Sequence, residues 1–171
     1  MPRRILIRSE QHPYHITTRV NNKEVFHISL REVWRICKIL LKDGTNKFDV
    51  KIEAFVLMNN HYHLIIRTPR ANIDKFMHYF NRQLSIQISK RAGRINRLFG
   101  SPYHWKMITS QSYYLNAVRY VYQNPLRAKI VGRVQDYPYS DIRNQKSYHK
   151  YLDWFNTRYE EDEIKLIKKN I

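Results

Sequence analysis

The fold is decided by one stretch of the chain, Phe55-Val56-Leu57-Met58-Asn59-Asn60-His61-Tyr62-His63-Leu64-Ile65-Ile66. Two apolar runs flank the turn-forming pair Asn59-Asn60, which predicts an antiparallel hairpin with strands over 48–58 and 62–67. Side chains two apart in a strand project from the same face of the sheet. His61 and His63 are therefore expected to point together into one site, with Tyr62 facing the opposite way, towards packing.

Predicted strands and helices alternate around this hairpin. Strands are indicated by aromatic and β-branched residues, and helices by apolar residues at three- and four-residue spacing. The other predicted elements are a strand over 14–20, a helix over 29–41 ended by Asp43-Gly44-Thr45-Asn46, a helix that follows Ala71-Asn72 and runs to about Lys90 before Gly93, and a strand over 103–108. This order predicts an α+β protein, a ferredoxin-like plait whose antiparallel sheet has its helices on one face.

A last long helix is predicted to begin after Ser110, an N-cap residue, and to end at Asn124, because Pro125 disfavours helical geometry before it. Its apolar stripe, the expected core face, consists of Gln111, Tyr114, Leu115, Val118, Val121 and Tyr122. Tyr120 and Asn124 share a face that lies about 160° from the middle of that stripe. Tyr120 is thus either a functional tyrosine or a solvent-facing side chain, and Tyr113, on the same side two turns earlier, is its rival.

The composition favours a polyanionic partner. The 171 residues include 31 Lys and Arg against 14 Asp and Glu, a formal net charge of +17. Nucleic acid is the first candidate, because the basic residues are spread along the chain rather than clustered beside an apolar membrane anchor. The candidate DNA-contacting cations are Arg19, Lys90, Arg91, Arg94, Arg97, Lys106 and Arg119.

The length of the chain fits a single domain over residues 1–171. No membrane partner is expected, since no segment approaches the roughly 20 apolar residues of a membrane span. The first eight residues hold too few apolar side chains for a secretory signal, which predicts a cytoplasmic protein. Residues from about 143 to 171 are expected to form a tail with a short terminal helix, acidic at Glu160-Glu161-Asp162-Glu163 and basic at its end.

The histidine pair suggests a metal site without establishing one. Two imidazoles on one face suit a divalent ion, but they are an incomplete set and need a third protein ligand from elsewhere in the fold. Asn124 has a potential amide oxygen ligand one turn beyond Tyr120. The His-x-His spacing is also common by chance, so a pair of surface histidines is the competing interpretation.

Residues 55–66 closely resemble the HUH motif of single-tyrosine transposases, in which a bulky apolar residue separates two histidines. Residues 119–128, from Arg119-Tyr120 to Arg127-Ala128, are similar to the tyrosine motif of the REP-associated branch of this IS200-like family. Asp136-Tyr137-Pro138-Tyr139-Ser140 looks like the next landmark of that branch, and residues 15–22 match its opening strand. The resemblance covers about residues 12–142, with the motifs in the expected order.

This resemblance implies a metal-dependent DNA transposase. His61 and His63 would bind Mg²⁺ or Mn²⁺, and the Asn124 side chain would complete the protein ligands. Tyr120 would attack a phosphodiester of single-stranded DNA, giving a 5′-phosphotyrosine and a free 3′ hydroxyl. The implied targets are palindromic hairpins such as repetitive extragenic palindromic (REP) elements.

Several points stay open at this stage. The sequence departs from the usual pattern of the branch at Val20, Asn60 and Lys129, none of which is a proposed catalytic residue. A tyrosine with a pKa of about 10 needs activation near neutral pH, for which Lys106 and Arg119 are candidates. The alternatives are a non-catalytic, sequence-specific nucleic-acid-binding protein and a metal-dependent nuclease in which water attacks. Self-association is possible.

Overall fold

The computed structural model describes residues 6–157. Its main elements, in chain order, are β1 (Tyr14–Arg19), α1 (Leu30–Phe48), β2 (Lys51–Leu57), β3 (His61–Arg67), α2 (Ile73–Ala92), β4 (His104–Met107), α3 (Gln111–Arg127) and α4 (Leu152–Asn156). The four strands form one sheet in the order β2-β3-β1-β4, with every neighbouring pair antiparallel. A β-α-β-β-α-β chain with this strand order is a ferredoxin-like plait, so the predicted α+β class is confirmed.

Helices cover both faces of the sheet rather than one. Tyr14, Ile16 and Leu64 belong to a core cluster shared with α1 and α2. On the opposite side, which we call the α3 face, Val56 and Ile65 belong to a second cluster shared with α3. The prediction of one covered face needs this correction because β2 and β3 alternate apolar side chains on both sides, as strands buried on both faces do.

Helix α1 is longer than predicted and continues through Gly44. Its first turn is fixed by a capping box at Ser29, and it ends at Asp49, whose φ of 54° is left-handed. A Cβ at residue 44 would lie 2.6 Å from Phe76 Cε2 in α2. The predicted break at Asp43-Gly44-Thr45-Asn46 is therefore wrong, because close packing of the two helices outweighs the low helix propensity of glycine, about 1 kcal/mol.

Helix α3 also passes its predicted end, with Pro125 inside it. Proline has no N–H and leaves the carbonyl four residues earlier, that of Val121, without its helical donor. The side-chain amide of Asn124 compensates, since its Nδ2 donates to Val121 O at 3.3 Å and to Tyr120 O at 2.9 Å. The predicted end at Asn124 is thus wrong by about one turn. At the other end of the helix, Gln111 was predicted to lie in the core stripe, but it is exposed.

The outer edge of β2 is closed by residues 137–141. Leu57 N donates to Tyr139 O at 2.9 Å, and Asp141 N donates to Phe55 O at 3.1 Å. The carboxylate of Asp141 accepts a further bond from Phe55 N at 2.8 Å. This segment therefore covers backbone groups that an edge strand would otherwise expose.

Residues after 141 pack back onto α3. Tyr148 and Phe155 are buried in the same cluster as Val118 and Val121, so the described part of the predicted tail is folded against the rest of the protein. The predicted terminal helix over Glu160-Glu161-Asp162-Glu163 lies outside the described residues. Within residues 6–157, no helix has the length and apolarity needed to cross a membrane.

The packing at Gly44 gives a test of the α1–α2 contact. We expect Gly44→Val to destabilise the protein by about 1–3 kcal/mol, although valine favours helix more than glycine, because the added atoms overpack the contact with Phe76. Thermal unfolding followed by circular dichroism measures this. The control is Asn46→Val, which places the same side chain at an exposed position of α1 and should change stability by less than about 0.5 kcal/mol. Equal melting temperatures for the two variants would contradict the close contact.

Candidate active site

The strand register gathers polar residues at one end of the α3 face. In the β1–β3 pair, Thr17 lies opposite His63 and Arg19 lies opposite His61. In the β1–β4 pair, Lys106 lies opposite His15. Directly opposite residues of antiparallel strands project from the same face. The structure therefore brings the two predicted histidines together with three residues of β1.

The imidazoles of His61 and His63 are oriented by neighbours, and their ring centroids are 5.1 Å apart. His61 Nδ1 lies 2.7 Å from Asn60 Oδ1, and Asn60 Nδ2 donates to Lys23 O at 2.8 Å, which directs the amide oxygen towards the ring. His61 Nδ1 therefore carries the donated proton. Its Nε2 is left with a free lone pair.

His63 is held by two residues of β1. Its Nδ1 lies 3.1 Å from His15 Nε2 and 3.2 Å from Thr17 Oγ1. The rings of His15 and His63 are stacked, with centroids 5.3 Å apart. Such partners at Nδ1 hold the orientation of the ring and leave Nε2 at its opposite edge, an arrangement common among metal-binding histidines.

Burial keeps these histidines neutral near pH 7. It lowers the pKa of His15 and of His61 to about 4, with a smaller contribution from Lys106 at His15 and from Arg19 at His61. The pKa of His63 is lowered well below its ordinary value, first by burial and then by His15 and His61. Neutral imidazole is the form that binds metal ions.

Tyr120 packs against this histidine cluster. Its ring centroid lies 5.8 Å from that of His63 and 5.9 Å from that of His15. The guanidinium of Arg127, two turns later on α3, lies 4.9 Å from the Tyr120 ring centroid. Tyr120 is half-buried, so its position is neither the core nor open solvent.

Tyr113, the rival tyrosine, sits in a different setting. The ammonium of Lys106 lies 5.7 Å from its ring centroid. Burial raises the pKa of Tyr113 to about 12, which makes its hydroxyl harder to ionise. Tyr113 thus has a nearby cation and a raised pKa, whereas Tyr120 packs against two histidines.

His61, His63 and Asn124 could supply three of the ligands of a divalent ion. Asn124 donates through Nδ2 to two backbone carbonyls, which leaves its Oδ1 as the free end of the amide. His61 Nε2, His63 Nε2 and Asn124 Oδ1 would supply two nitrogens and one oxygen, a set suited to a first-row divalent ion with positions open to substrate. Within residues 6–157, no group of three or more His, Cys, Asp and Glu side chains could hold a metal, so an ion here would depend on the amide.

The predicted DNA-contacting cations divide into two groups. Arg19 and Lys106 lie on the α3 face beside the histidines. Lys90 and Arg91 lie at the end of α2, which packs on the other face of the sheet. Exposed Arg97 follows α2 in the chain.

The prediction for Arg119 needs correction, and that for Arg94 stays a prediction. Arg119 is 3% exposed and donates through its Nη2 to Thr157 O at 2.9 Å and to Thr157 Oγ1 at 2.8 Å. Its guanidinium also stacks on Trp154, so it holds the C-terminal segment rather than DNA or Tyr120. Arg94 pairs with Glu24 at 3.0 Å, which leaves 13% of its side chain exposed.

Sequence reasoning missed three residues of the site. His15 and Thr17 alternate with Arg19 in the predicted first strand, and this period of two could have assigned them to one face. Arg127 lies seven residues after Tyr120, a spacing that returns to the same side of a helix. That relation was hidden by ending the predicted helix before Pro125.

The three lowered histidine pKa values predict a loss of stability in acid. An unfolded histidine takes up a proton near pH 6.5, whereas buried His15 does so near pH 4, so its stabilisation is complete above pH 6.5 and is lost as the pH falls towards 4. We expect His15→Gln, which keeps an acceptor for His63, to weaken this pH dependence by roughly 2 kcal/mol between pH 7 and 4.5. Denaturant unfolding of both proteins at a series of pH values measures the free energy of unfolding. Identical pH profiles for the two proteins would contradict the lowered pKa of His15.

Comparison with known proteins identifies the family. The family model described as Transposase IS200 like matches residues 8–128, and no curated protein matches the chain. The structure of a REP-associated tyrosine transposase bound to a REP hairpin has a TM-score of 0.73 and 15% identity, with 94% of this chain and 93% of that chain covered, which shows a shared fold. A candidate transposase from Deinococcus radiodurans R1 has a TM-score of 0.47 and 17% identity, with 85% and 96% covered. Because the family model spans more than half of the chain, this protein belongs to the IS200-like transposase family.

Proposed function

We propose that this protein cleaves and rejoins single-stranded DNA with Tyr120 as the nucleophile. The observation that carries the proposal is the contact of the Tyr120 ring with His63, at 5.8 Å between centroids, on the sheet face where His61 also lies. The phenolic oxygen would form a bond to phosphorus while the bond from phosphorus to the 3′ oxygen breaks. The products are a 5′-phosphotyrosine and a free 3′ hydroxyl, and attack by a 3′ hydroxyl on the phosphotyrosine rejoins the strand.

His61, His63 and Asn124 are the proposed ligands of a divalent ion, Mg²⁺ or Mn²⁺. When bound, such an ion supplies positive charge that polarises the scissile phosphate and offsets the charge that develops during attack. The imidazoles are in turn held by Asn60, His15 and Thr17, which would not bind the ion themselves. These three residues contact Nδ1 of each imidazole, so Nε2 lies on the opposite edge of the ring.

Cations around Tyr120 support the same chemistry. The guanidinium of Arg127 lies over the phenol ring, where its positive charge would attract the phosphate that Tyr120 attacks. Arg19 and Lys106 flank the histidines and would contact phosphates of the bound strand. The site thus combines a tyrosine of α3 with neutral imidazoles and cations on the α3 face of the sheet.

The proposed natural substrate is a palindromic hairpin with adjoining single-stranded DNA. The REP-associated transposase with the same fold is bound to a REP hairpin, and the net charge of +17 suits a DNA partner. We extend the proposal to a single functional domain over residues 1–171 that acts in the cytoplasm. Self-association stays a prediction.

The nucleophile can be tested by trapping the covalent product. We expect wild-type protein to become attached to a 3′-labelled single-stranded hairpin in the presence of Mn²⁺, seen as a labelled protein band on a denaturing gel. Tyr120→Phe should lose this band completely because it lacks the attacking oxygen. Tyr113→Phe, the matched control, should keep it. Cleavage without any adduct in all three proteins would indicate a hydrolytic nuclease, and binding without cleavage a DNA-binding protein.

The metal ligands can be tested without DNA. We expect Mn²⁺ at about 100 times its Kd to stabilise the wild type by roughly 2.7 kcal/mol, because the ion binds the folded state. His61→Ala should lose most of this stabilisation, as measured by thermal unfolding with and without Mn²⁺. His78→Ala removes an exposed histidine of α2 and should respond like the wild type. Equal stabilisation of all three proteins would contradict the proposed ligand set.

A further inference from the structure

Asp141 is a charged residue that the proposed reaction does not use. Its carboxylate accepts hydrogen bonds from Phe55 N at 2.8 Å, from the Tyr122 hydroxyl at 2.9 Å and from Gln145 Nε2 at 3.0 Å. Phe55 belongs to β2, Tyr122 to α3 and Gln145 to the segment after residue 141. Asp141 itself lies beyond residues 8–128, the part of the chain that the family model matches. The carboxylate therefore joins a strand, a helix and a segment outside the matched part.

The three neighbours suit the ionised form of Asp141. Each of them donates, and an ionised carboxylate only accepts. Burial raises the pKa of Asp141, while the bonds from Gln145, Phe55 N and Tyr122 oppose that rise. Burial and then Asp141 raise the pKa of Tyr122 well above its ordinary value, so the phenol keeps its proton. The Tyr122 hydroxyl thus donates to a charged acceptor, which gives a stronger bond than a neutral acceptor does.

Asp141 is connected through β2 to the strand that carries the histidines. Asp141 N donates to Phe55 O at 3.1 Å, and Phe55 N donates back to the carboxylate. Phe55 lies opposite Leu64 in the β2–β3 pair, and Leu64 follows His63 in β3. The group that holds the Tyr122 hydroxyl is therefore fixed relative to His63.

Tyr122 and Tyr120 contact the rest of the protein on two sides of α3. Residues two apart in a helix project about 160° from each other. The Tyr120 ring packs on His63, with centroids 5.8 Å apart, and the Tyr122 hydroxyl is bonded to Asp141. A rotation of α3 about its axis would therefore stretch the bond to Asp141 and move Tyr120 at the same time.

We propose that Asp141 is a positioning residue for strand transfer, which fixes the rotation of α3 through the Tyr122 hydroxyl and thereby holds Tyr120 at His63. This inference rests on the reaction proposed above. A rotation of about 10° moves an atom about 6 Å from the helix axis by roughly 1 Å. A misplacement of about 1 Å can slow an enzymatic step by about 10²-fold. A single bond that limits this rotation can therefore control the rate.

Tyr137 provides a matched control for Tyr122. Both tyrosines are buried in the cluster shared with α3, and each hydroxyl makes a hydrogen bond. The Tyr137 hydroxyl donates to Leu57 O of β2 at 2.7 Å, so its bond joins the segment before Asp141 to the sheet without involving α3. Replacement of either tyrosine by phenylalanine removes one buried hydroxyl, but only Tyr122→Phe releases the helix that carries Tyr120.

The test measures the rate of covalent attachment to a labelled single-stranded hairpin in Mn²⁺, well below the melting temperature of each protein. At saturating DNA, Tyr122→Phe and Asp141→Ala should each be at least about tenfold slower than the wild type, with half-saturating DNA changed by less than about twofold. Asp141→Asn keeps an acceptor oxygen for Tyr122 and should stay within about threefold of the wild type, and Tyr137→Phe within about twofold. The double variant Tyr122→Phe, Asp141→Ala should be no slower than Asp141→Ala, because both changes remove the same bond.

A second measurement follows the position of Tyr120 without DNA. We expect a nuclear Overhauser contact between the rings of Tyr120 and His63 in the wild type and in Tyr137→Phe, and a loss of at least about half its intensity in Tyr122→Phe, because the contact lies on the rotating helix. The contact between His15 and His63, whose rings are 5.3 Å apart within the sheet, is the internal reference and should be unchanged.

Three outcomes would overturn the proposal. These are an unchanged rate in Tyr122→Phe, equal slowing in Tyr137→Phe, which would indicate general destabilisation, and an unchanged contact between Tyr120 and His63 in Tyr122→Phe. If Asp141→Ala does not fold, Tyr122→Phe still decides. Absence of attachment in every protein would count against the proposed reaction, while the ring contacts would still show whether Asp141 positions α3.

Discussion

The antiparallel pairing of β1 with β3 is the constraint on which the rest of the structure depends. It sets Thr17 opposite His63 and Arg19 opposite His61, and it places His15 Nε2 within 3.1 Å of His63 Nδ1. A slip of one residue in a strand moves its side chains to the other face of the sheet. Here it would turn the imidazoles into the core formed with α1 and α2 and would bring apolar side chains to the α3 face. The two apolar clusters, one on each side of the sheet, oppose such a slip.

This constraint explains which parts could be predicted from the sequence. Periodicity of two and of 3.6 residues is a local property, so the four strands, the helices and the shared face of His61 and His63 follow from the order of residues. The ends of α1 and α3 do not, because each depends on a distant or compensating contact. Gly44 meets Phe76 of α2, and Asn124 bonds the carbonyl that Pro125 leaves without a donor.

In the candidate site, too, some residues could be predicted from local sequence and others only from contacts between distant parts of the chain. Its tyrosine, two histidines and asparagine can be proposed from spacing and from resemblance to a family, but their supporting residues require the sheet register. Arg119 is a residue that sequence reasoning placed in the site but that the structure places elsewhere. It is adjacent to Tyr120 in sequence, yet neighbouring residues of a helix point about 100° apart, and its guanidinium lies over Trp154. The cation adjacent to Tyr120 in sequence therefore differs from the cation that lies over its ring in space, which is Arg127.

The hydrogen bonds of Asn124 connect the continuity of α3 with the identity of a proposed metal ligand. A carboxylate is a stronger ligand for hard divalent ions than an amide, but it has no N–H and could not donate to the carbonyls of Tyr120 and Val121. With proline at position 125, aspartate at 124 would leave those carbonyls facing a negative charge at the turn that carries Tyr120. The pair Asn124-Pro125 thus acts as one unit, in which a backbone defect determines the chemical identity of the neighbouring side chain. The proposed metal site accepts a weaker oxygen donor so that the helix presenting Tyr120 can continue past its proline.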